Sequence, residues 1–84
     1  MTVNSVSDFR DWLAAQHRWT PKAQNDLISR LKRADRIRTV EGATSLDDYV
    51  KSLESSVEWG AIPRTSRTGM IAASRLYLEW KTLN

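Results

Sequence analysis

The 84-residue chain has no cysteine, which excludes a disulfide framework and any metal site built on thiolates. Its three glycines, Gly42, Gly60 and Gly69, are scattered, so no glycine-rich phosphate loop is present. His17 is the single histidine and therefore the only candidate base for a catalytic triad. No apolar run approaches the roughly 20 residues of a membrane-spanning helix, and the first residues show no signal-peptide core. We therefore expect a cytoplasmic protein that is not an enzyme and binds no cofactor or metal.

The net charge of +3 conceals an uneven distribution along what its length predicts to be one domain, residues 1–84. Residues 20–40 carry six basic and two acidic side chains, and residues 61–84 carry four basic and one acidic. Residues 41–60 carry five acidic side chains and one basic. Such a dipolar distribution indicates a charged partner surface.

Residues 20–38 give the clearest helical pattern of the chain. Their apolar positions recur at helical spacing along one stripe: Ala23, Leu27, Leu31 and Ala34. Basic residues occupy the opposite side and its border: Lys22, Arg30, Lys32, Arg33 and Arg36. Thr20 is the predicted N-cap, and Pro21 suits the first helical position. The basic side is either solvated surface or a binding face.

The same periodicity predicts three further helices, near residues 6–17, 46–58 and 64–81, and hence an all-α fold. Ser45 is the predicted cap of the third helix, and Gly60 is expected to end it in a left-handed conformation. The fourth helix is apolar on more than one side, so it is either central or keeps a patch for a partner. The predicted core consists of Phe9, Trp12, Leu13, Leu27, Leu31, Tyr49, Leu53, Leu76, Tyr77 and Trp80.

The predicted third helix has an acidic face, formed by Asp47, Asp48, Glu54 and Glu58. The first two lie at the start of the helix, where carboxylates compensate the helix dipole, and we interpret them as capping residues rather than metal ligands. The face as a whole is either ordinary solvated surface, a surface that repels DNA, or one that meets a protein.

Five short motifs carry a resemblance to a known family. They are FxxWL at 9–13, SRLKR at 29–33, SLDDYVxxL at 45–53, TSRT at 65–68 and AASRLYLEW at 72–80. In this order they resemble the N-terminal core-binding domain of tyrosine recombinases and phage integrases, which act in DNA recombination. The resemblance spans nearly the whole chain, although its motifs are mainly hydrophobic spacing with a few polar positions.

The resemblance implies a compact four-helix, SAM-like orthogonal bundle whose second and fourth helices meet duplex DNA. The matching positions on the second helix are Lys22, Arg30, Lys32, Arg33 and Arg36. Those on the fourth helix are Arg64, Thr65, Ser66, Arg67 and Thr68. The family's catalytic domain, with its arginine, lysine, histidine and tyrosine set, has no counterpart here. Both an excised domain and a stand-alone protein remain open.

Two functions therefore compete. A DNA-binding module would hold the duplex backbone, weakly or without sequence specificity, and its basic residues would form one continuous surface away from the acidic face. The alternative is a protein-interaction module, such as a small adaptor or a phage-type inhibitor. It would use a patch around Ile71 and Leu78 or the acidic third helix.

Overall fold

A computed structural model describes the backbone of residues 3–83 and the side chains of residues 5–83. Within this range the chain forms five helices: α1 Val3–Ala15, α2 Pro21–Ile37, α3 Leu46–Glu54, α4 Val57–Gly60 and α5 Arg64–Leu83. No strand occurs in the described range, and the all-α prediction is confirmed. Helix α5 lies at the centre, because it contacts α1, α2 and α3 and packs most extensively on α2.

The predicted third helix is divided into α3 and α4 by two consecutive serines. Ser55 Oγ donates to the carbonyl of Ser52 at 2.7 Å, and Ser56 Oγ accepts from the amide of Glu58 at 3.2 Å. Serine side chains compete in this way with the backbone hydrogen bonds of a helix. Ser56 accordingly has an extended backbone and caps α4. The prediction that Gly60 adopts a left-handed conformation is wrong, because Gly42 is the glycine with a positive φ in the described range.

The first helix also differs from its prediction at both ends. It begins at Val3 and ends at Ala15, and His17 adopts a left-handed conformation with φ of 56°. The amide of His17 donates to the carbonyl of Ala14 at 3.3 Å. A left-handed residue commonly terminates a helix, but glycine or asparagine usually supplies it. The sequence therefore gave no signal for this end.

The predicted caps of α2 and α3 are confirmed. Thr20 Oγ1 accepts from the amide of Ala23 at 3.2 Å, and Ser45 Oγ accepts from the amide of Asp48 at 3.1 Å. The Asp48 carboxylate in turn accepts a 2.6 Å hydrogen bond from the Thr44 hydroxyl. These contacts satisfy amides that have no acceptor inside the helix and so fix where each helix starts.

Seven of the ten side chains predicted to form the core are buried, which confirms that part of the prediction: Phe9, Leu13, Leu27, Leu31, Tyr49, Leu53 and Tyr77. The three others, Trp12, Leu76 and Trp80, are half-buried and pack against the core from its edge. Hydrophobic side chains outside the predicted set complete the core: Ile28, Ala34, Val40, Trp59, Ile62, Met70 and Ala73. Helix α2 thus contributes Ile28 in addition to its predicted stripe.

An aromatic cluster joins α1 to the C-terminal half of α5. The ring of Phe9 meets Tyr77 edge-on at a centroid distance of 5.3 Å and lies 5.6 Å from Trp80. Tyr77 and Trp80 are themselves 5.5 Å apart. Edge and tilted contacts of this kind stabilise aromatic pairs beyond the area that they bury.

The loop between α2 and α3 is attached to the core through two buried tyrosines. The Tyr49 hydroxyl donates to the carbonyl of Arg38 at 2.9 Å, and the Tyr77 hydroxyl donates to the carboxylate of Glu41. Burial raises the pKa of both phenols above the usual value near 10. The negative charge of Asp35 adds to this rise of the pKa for Tyr49, and the hydrogen bond to Glu41 adds to it for Tyr77.

Candidate nucleic-acid interface

A cleft of about 250 Å³ lies between α2 and the N-terminal turns of α5. Its lining residues are Arg30 and Arg33 from α2 with Thr65, Ser66 and Met70 from α5. Both arginines are exposed, whereas Met70 is buried and forms the floor. The cleft, which we call the α2–α5 cleft, therefore joins two guanidinium groups to two hydroxyls over an apolar base.

Gly69 lies against the side chain of Arg30, which lines this cleft. A Cβ atom at Gly69 would lie 3.1 Å from both Cδ and Nε of Arg30, closer than side chains normally approach. The side chain of Arg30 therefore crosses α5 directly over Gly69 on its way to the cleft. Glycine inside a helix costs about 1 kcal/mol relative to alanine, so this close approach gives a physical reason for its presence.

The start of α5 adds a positive field to the α2–α5 cleft. The first hydrogen bond of the helix runs from the amide of Arg67 to the carbonyl of Pro63 at 3.0 Å. Amides that precede it, including those of Thr65 and Ser66, have no acceptor within the helix. Their partial positive charge, the helix dipole and the two guanidinium groups all favour an anion at this place.

The remaining predicted DNA-binding residues lie elsewhere. Lys22, Lys32 and Arg36 are exposed on α2 outside the lining of the cleft. Three others, Arg64, Arg67 and Thr68, line a second pocket on the side of α5 that faces α3, together with Val50, Glu54, Trp59 and Ile71. The expectation that the basic residues lie away from the acidic ones is therefore wrong at this pocket, because Glu54 shares it.

Helix geometry explains this separation. Successive residues of a helix are rotated by about 100°, so positions 64, 67, 68 and 71 fall on one half of α5 and positions 65, 66, 69 and 70 on the other half. Arg64, Arg67 and Thr68 consequently face α3, and Thr65 and Ser66 face α2. The sequence motif TSRT groups residues that the helix distributes over two surfaces.

The half-buried side chain of Arg67 contains a buried hydrogen-bond donor without an acceptor in the described range. Its Nε atom is buried and has no hydrogen-bond acceptor among the described residues. An unsatisfied buried donor costs about 1–3 kcal/mol. No hydrogen bond at Nε therefore fixes the position of this side chain within the described part of the chain.

The predicted protein-binding residues, Ile71 and Leu78, are half-buried and pack against the core. Ile71 lines the pocket that contains Glu54, and Leu78 lines another pocket between α5 and the loop that leads into α3, together with Leu46. Each of them therefore lines a separate pocket and does not belong to a flat exposed patch.

Other functional groups are sparse in the described part of the chain. His17 is exposed at the end of α1. Between residues 3 and 83, no three histidine, aspartate or glutamate side chains are grouped as a metal ion would need. Over the same range, every helix is too short or too polar to cross a bilayer.

Comparison with family models, with curated proteins and with solved structures returned no match to this chain. The resemblance to integrase core-binding domains thus depends on the five sequence motifs alone.

Proposed function

We propose that the chain is a non-catalytic DNA-binding module that contacts the duplex backbone through the α2–α5 cleft. The observation that carries this proposal is the convergence of Arg30 and Arg33 with Thr65 and Ser66 at the start of α5. Guanidinium groups bind phosphate through paired hydrogen bonds, and hydroxyls and helix-start amides are common phosphate donors.

Each part of the cleft has a separate role in this proposal. Arg30 and Arg33 bind phosphate oxygens, and Thr65 and Ser66 fix the register of the strand against α5. Lys22, Lys32 and Arg36 attract the duplex from the exposed side of α2, since summed positive charge accelerates association. Because these donors all suit phosphates, we expect little sequence preference.

The resemblance to the core-binding domains of tyrosine recombinases supports the same function and would place the protein in DNA recombination. A cytoplasmic location belongs to the proposal as well. The assignment of Arg64, Arg67 and Thr68 to DNA remains a prediction, and their pocket with Glu54 makes it the weaker part.

Removal of one arginine from the cleft should weaken DNA binding in a salt-dependent way. Each phosphate contact contributes about −0.9 to the slope of log K against log salt. Arg30→Ala and Arg33→Ala should therefore each make that slope shallower by about 1, equally for unrelated duplex sequences. Fluorescence anisotropy with two labelled duplexes at several salt concentrations measures both effects.

The matched control is Arg75→Ala, because it removes the same charge from an exposed position that lines the pocket around Leu78 and not the α2–α5 cleft. This variant should leave the slope unchanged. The proposal fails if the wild-type protein gives no anisotropy change at low salt and about 100 μM protein, the upper end of ordinary non-specific affinities.

Gly69→Ala should change stability and DNA affinity in opposite directions. Alanine raises helix propensity, so the free energy of unfolding should rise by up to about 1 kcal/mol. The added methyl group pushes the exposed Arg30 side chain away from its position over α5, and DNA affinity should fall several-fold. Urea unfolding and anisotropy measure the two quantities on the same preparation.

Gly60→Ala is the control for this variant, because a Cβ atom there meets nothing within 4 Å. It should leave DNA affinity at the wild-type value. Unchanged DNA affinity in Gly69→Ala would show that the position of Arg30 does not matter for binding.

A protein-interaction module is the second candidate function. The observation that favours it is a pair of pockets beside α5, each lined in part by half-buried apolar side chains such as Ile71 and Leu78. Protein interaction becomes the preferred function if the anisotropy measurement detects no DNA binding.

A further inference from the structure

The polar side chains of the α2–α5 cleft are unpaired within residues 5–83. The guanidinium groups of Arg30 and Arg33 make no hydrogen bond or ion pair there, and neither do the hydroxyls of Thr65 and Ser66. Met70 is the fifth lining residue, so no carboxylate lines the cleft. The cleft therefore presents two full positive charges and two hydroxyls that are available to an anion.

These four side chains share one small cavity and do not form a row along a strand. The cavity has a volume of about 250 Å³. The other basic residues of α2 and α5 lie outside its lining: Lys22, Lys32, Arg36, Arg64, Arg67, Arg75 and Lys81. The α2–α5 cleft thus has the form of a site for a single phosphate.

The donors of the cleft suit a phosphomonoester better than a phosphodiester. Each guanidinium has five N–H donors, and each hydroxyl adds one. A phosphate inside the DNA backbone has one negative charge and two oxygens that are not bonded to sugars. A phosphomonoester has three such oxygens and a charge of about −1.5 to −2 at neutral pH. The third oxygen allows the two guanidinium groups to bind different pairs of oxygens, and the second charge strengthens both contacts.

We propose that the α2–α5 cleft binds the terminal phosphate of a DNA strand in preference to a phosphate inside the backbone. This inference rests on the proposed function and names the part of the DNA that the cleft takes. Unmodified DNA carries a phosphomonoester only where a strand ends, so the preferred target is an end, a nick or a gap that bears a phosphate. A terminal phosphate can also enter the cleft end-on, because the strand leaves it on one side only.

The second pocket that contains arginines does not suit this ligand. Arg64 and Arg67 line that pocket together with Glu54, whose carboxylate repels a dianion. The α2–α5 cleft has two arginines without such a carboxylate. The structure therefore favours the cleft over the other pocket as the site of the terminal phosphate.

Three duplexes of one sequence test the preference. One ends in hydroxyls, one carries a 5′-phosphate and one a 3′-phosphate, and each has its fluorescent label at the opposite end. At low salt and neutral pH, at least one phosphorylated duplex should bind about tenfold more tightly than the hydroxyl duplex. This factor corresponds to one additional hydrogen bond to a charged group. Fluorescence anisotropy measures the three dissociation constants.

Arginine variants locate the site of the preference. In Arg30→Ala and in Arg33→Ala the preference should fall to about threefold or less, because one guanidinium cannot bind both edges of the phosphate. Arg75→Ala is the control and should keep the tenfold preference, since Arg75 lies outside the cleft. All three arginines are exposed, and far-UV circular dichroism verifies that each variant is folded.

Acid pH supplies a readout that a change in folding does not mimic. The second proton of a phosphomonoester has a pKa near 6, whereas internal phosphates keep one charge throughout. The preference should therefore shrink as the pH falls from about 7.5 to about 5, where the terminal phosphate retains one charge. The lining residues include no carboxylate and no histidine, and Arg30 and Arg33 stay charged in this range. Charge changes elsewhere on the protein act on all three duplexes, so the ratio of affinities isolates the terminal phosphate.

The possible failures are distinguishable. Equal affinity of the wild type for the three duplexes overturns the preference for a terminal phosphate and leaves the proposed function intact. Absence of binding to all three contradicts the proposed function itself. A tenfold preference that persists in both arginine variants, or that does not change between neutral and acid pH, also overturns the inference. If thymidine 5′-monophosphate competes at the same concentration as a phosphorylated duplex, the cleft is a site for a free nucleotide and the assignment to a DNA end is wrong.

Discussion

Replacement of Leu31 by alanine is expected to lower the free energy of unfolding by about 2–5 kcal/mol. Leu31 is fully buried in α2, the helix that packs most extensively on the central α5. The substitution removes apolar contacts and leaves a cavity between α2 and α5, and both effects destabilise the fold. Since domains of this size have a total stability of about 4–12 kcal/mol, the variant should be partly unfolded at moderate temperature.

Urea unfolding followed by circular dichroism at the helical band measures this loss. Lys32→Ala is the matched control, because Lys32 is the exposed neighbour on the same helix and surface substitutions usually stay within about 0.5 kcal/mol. An unchanged urea midpoint in Leu31→Ala would mean that α2 presents another face to the core.

Helix α2 was predictable because several independent signals agree there. Thr20 and Pro21 mark its start, and three residues of its predicted apolar stripe, Leu27, Leu31 and Ala34, are buried, while the fourth, Ala23, is half-buried. Local propensity, capping and amphipathic period all favour the same element, which is the condition for a correct prediction from one sequence.

The rest of the core depends on contacts that a helical period does not contain. Val40 is buried in a loop, where its amide donates to the Asp35 carboxylate at 3.0 Å. Trp59 and Ile62 are buried at and just beyond the short α4, which exists because Ser56 interrupts the helical pattern. A periodic analysis assigns residues to faces of regular helices, so it misses side chains that irregular backbone brings into the core.

The candidate site was predictable only in part for a similar reason. The resemblance to the integrase family implied Arg30, Arg33, Thr65 and Ser66 among the DNA-binding residues, and these four line the α2–α5 cleft. It implied Arg64 equally, although Arg64 lines the other pocket together with Glu54. Which side of α5 meets α2 and which meets α3 is decided by packing between distant segments.

Alkaline pH is expected to unfold the protein through its two tyrosines. Tyr49 and Tyr77 are buried, and their pKa values are raised in the folded state. Below about pH 10 both phenols are protonated in the folded and the unfolded chain, so their contribution to stability is complete. Above it, the unfolded chain loses these protons while the folded chain keeps them. Stability should therefore fall with increasing pH, by about 1.4 kcal/mol per pH unit for each tyrosine.

Urea unfolding at closely spaced values between pH 9 and pH 11.5 should reveal this fall, and tyrosinate absorbance should appear together with the loss of helical signal. The chain has only these two tyrosines, so the absorbance reports on no other phenol.

Tyr77→Phe loses the hydrogen bond to Glu41 and should be less stable at pH 8, yet its stability should fall about half as steeply with pH. Tyr49→Phe should show the same halved slope after losing its bond to Arg38. Tyrosinate absorbance near pH 10 in protein that is still fully helical would contradict the burial of the two phenols, because a phenol that ionises at its usual pKa must be in contact with water.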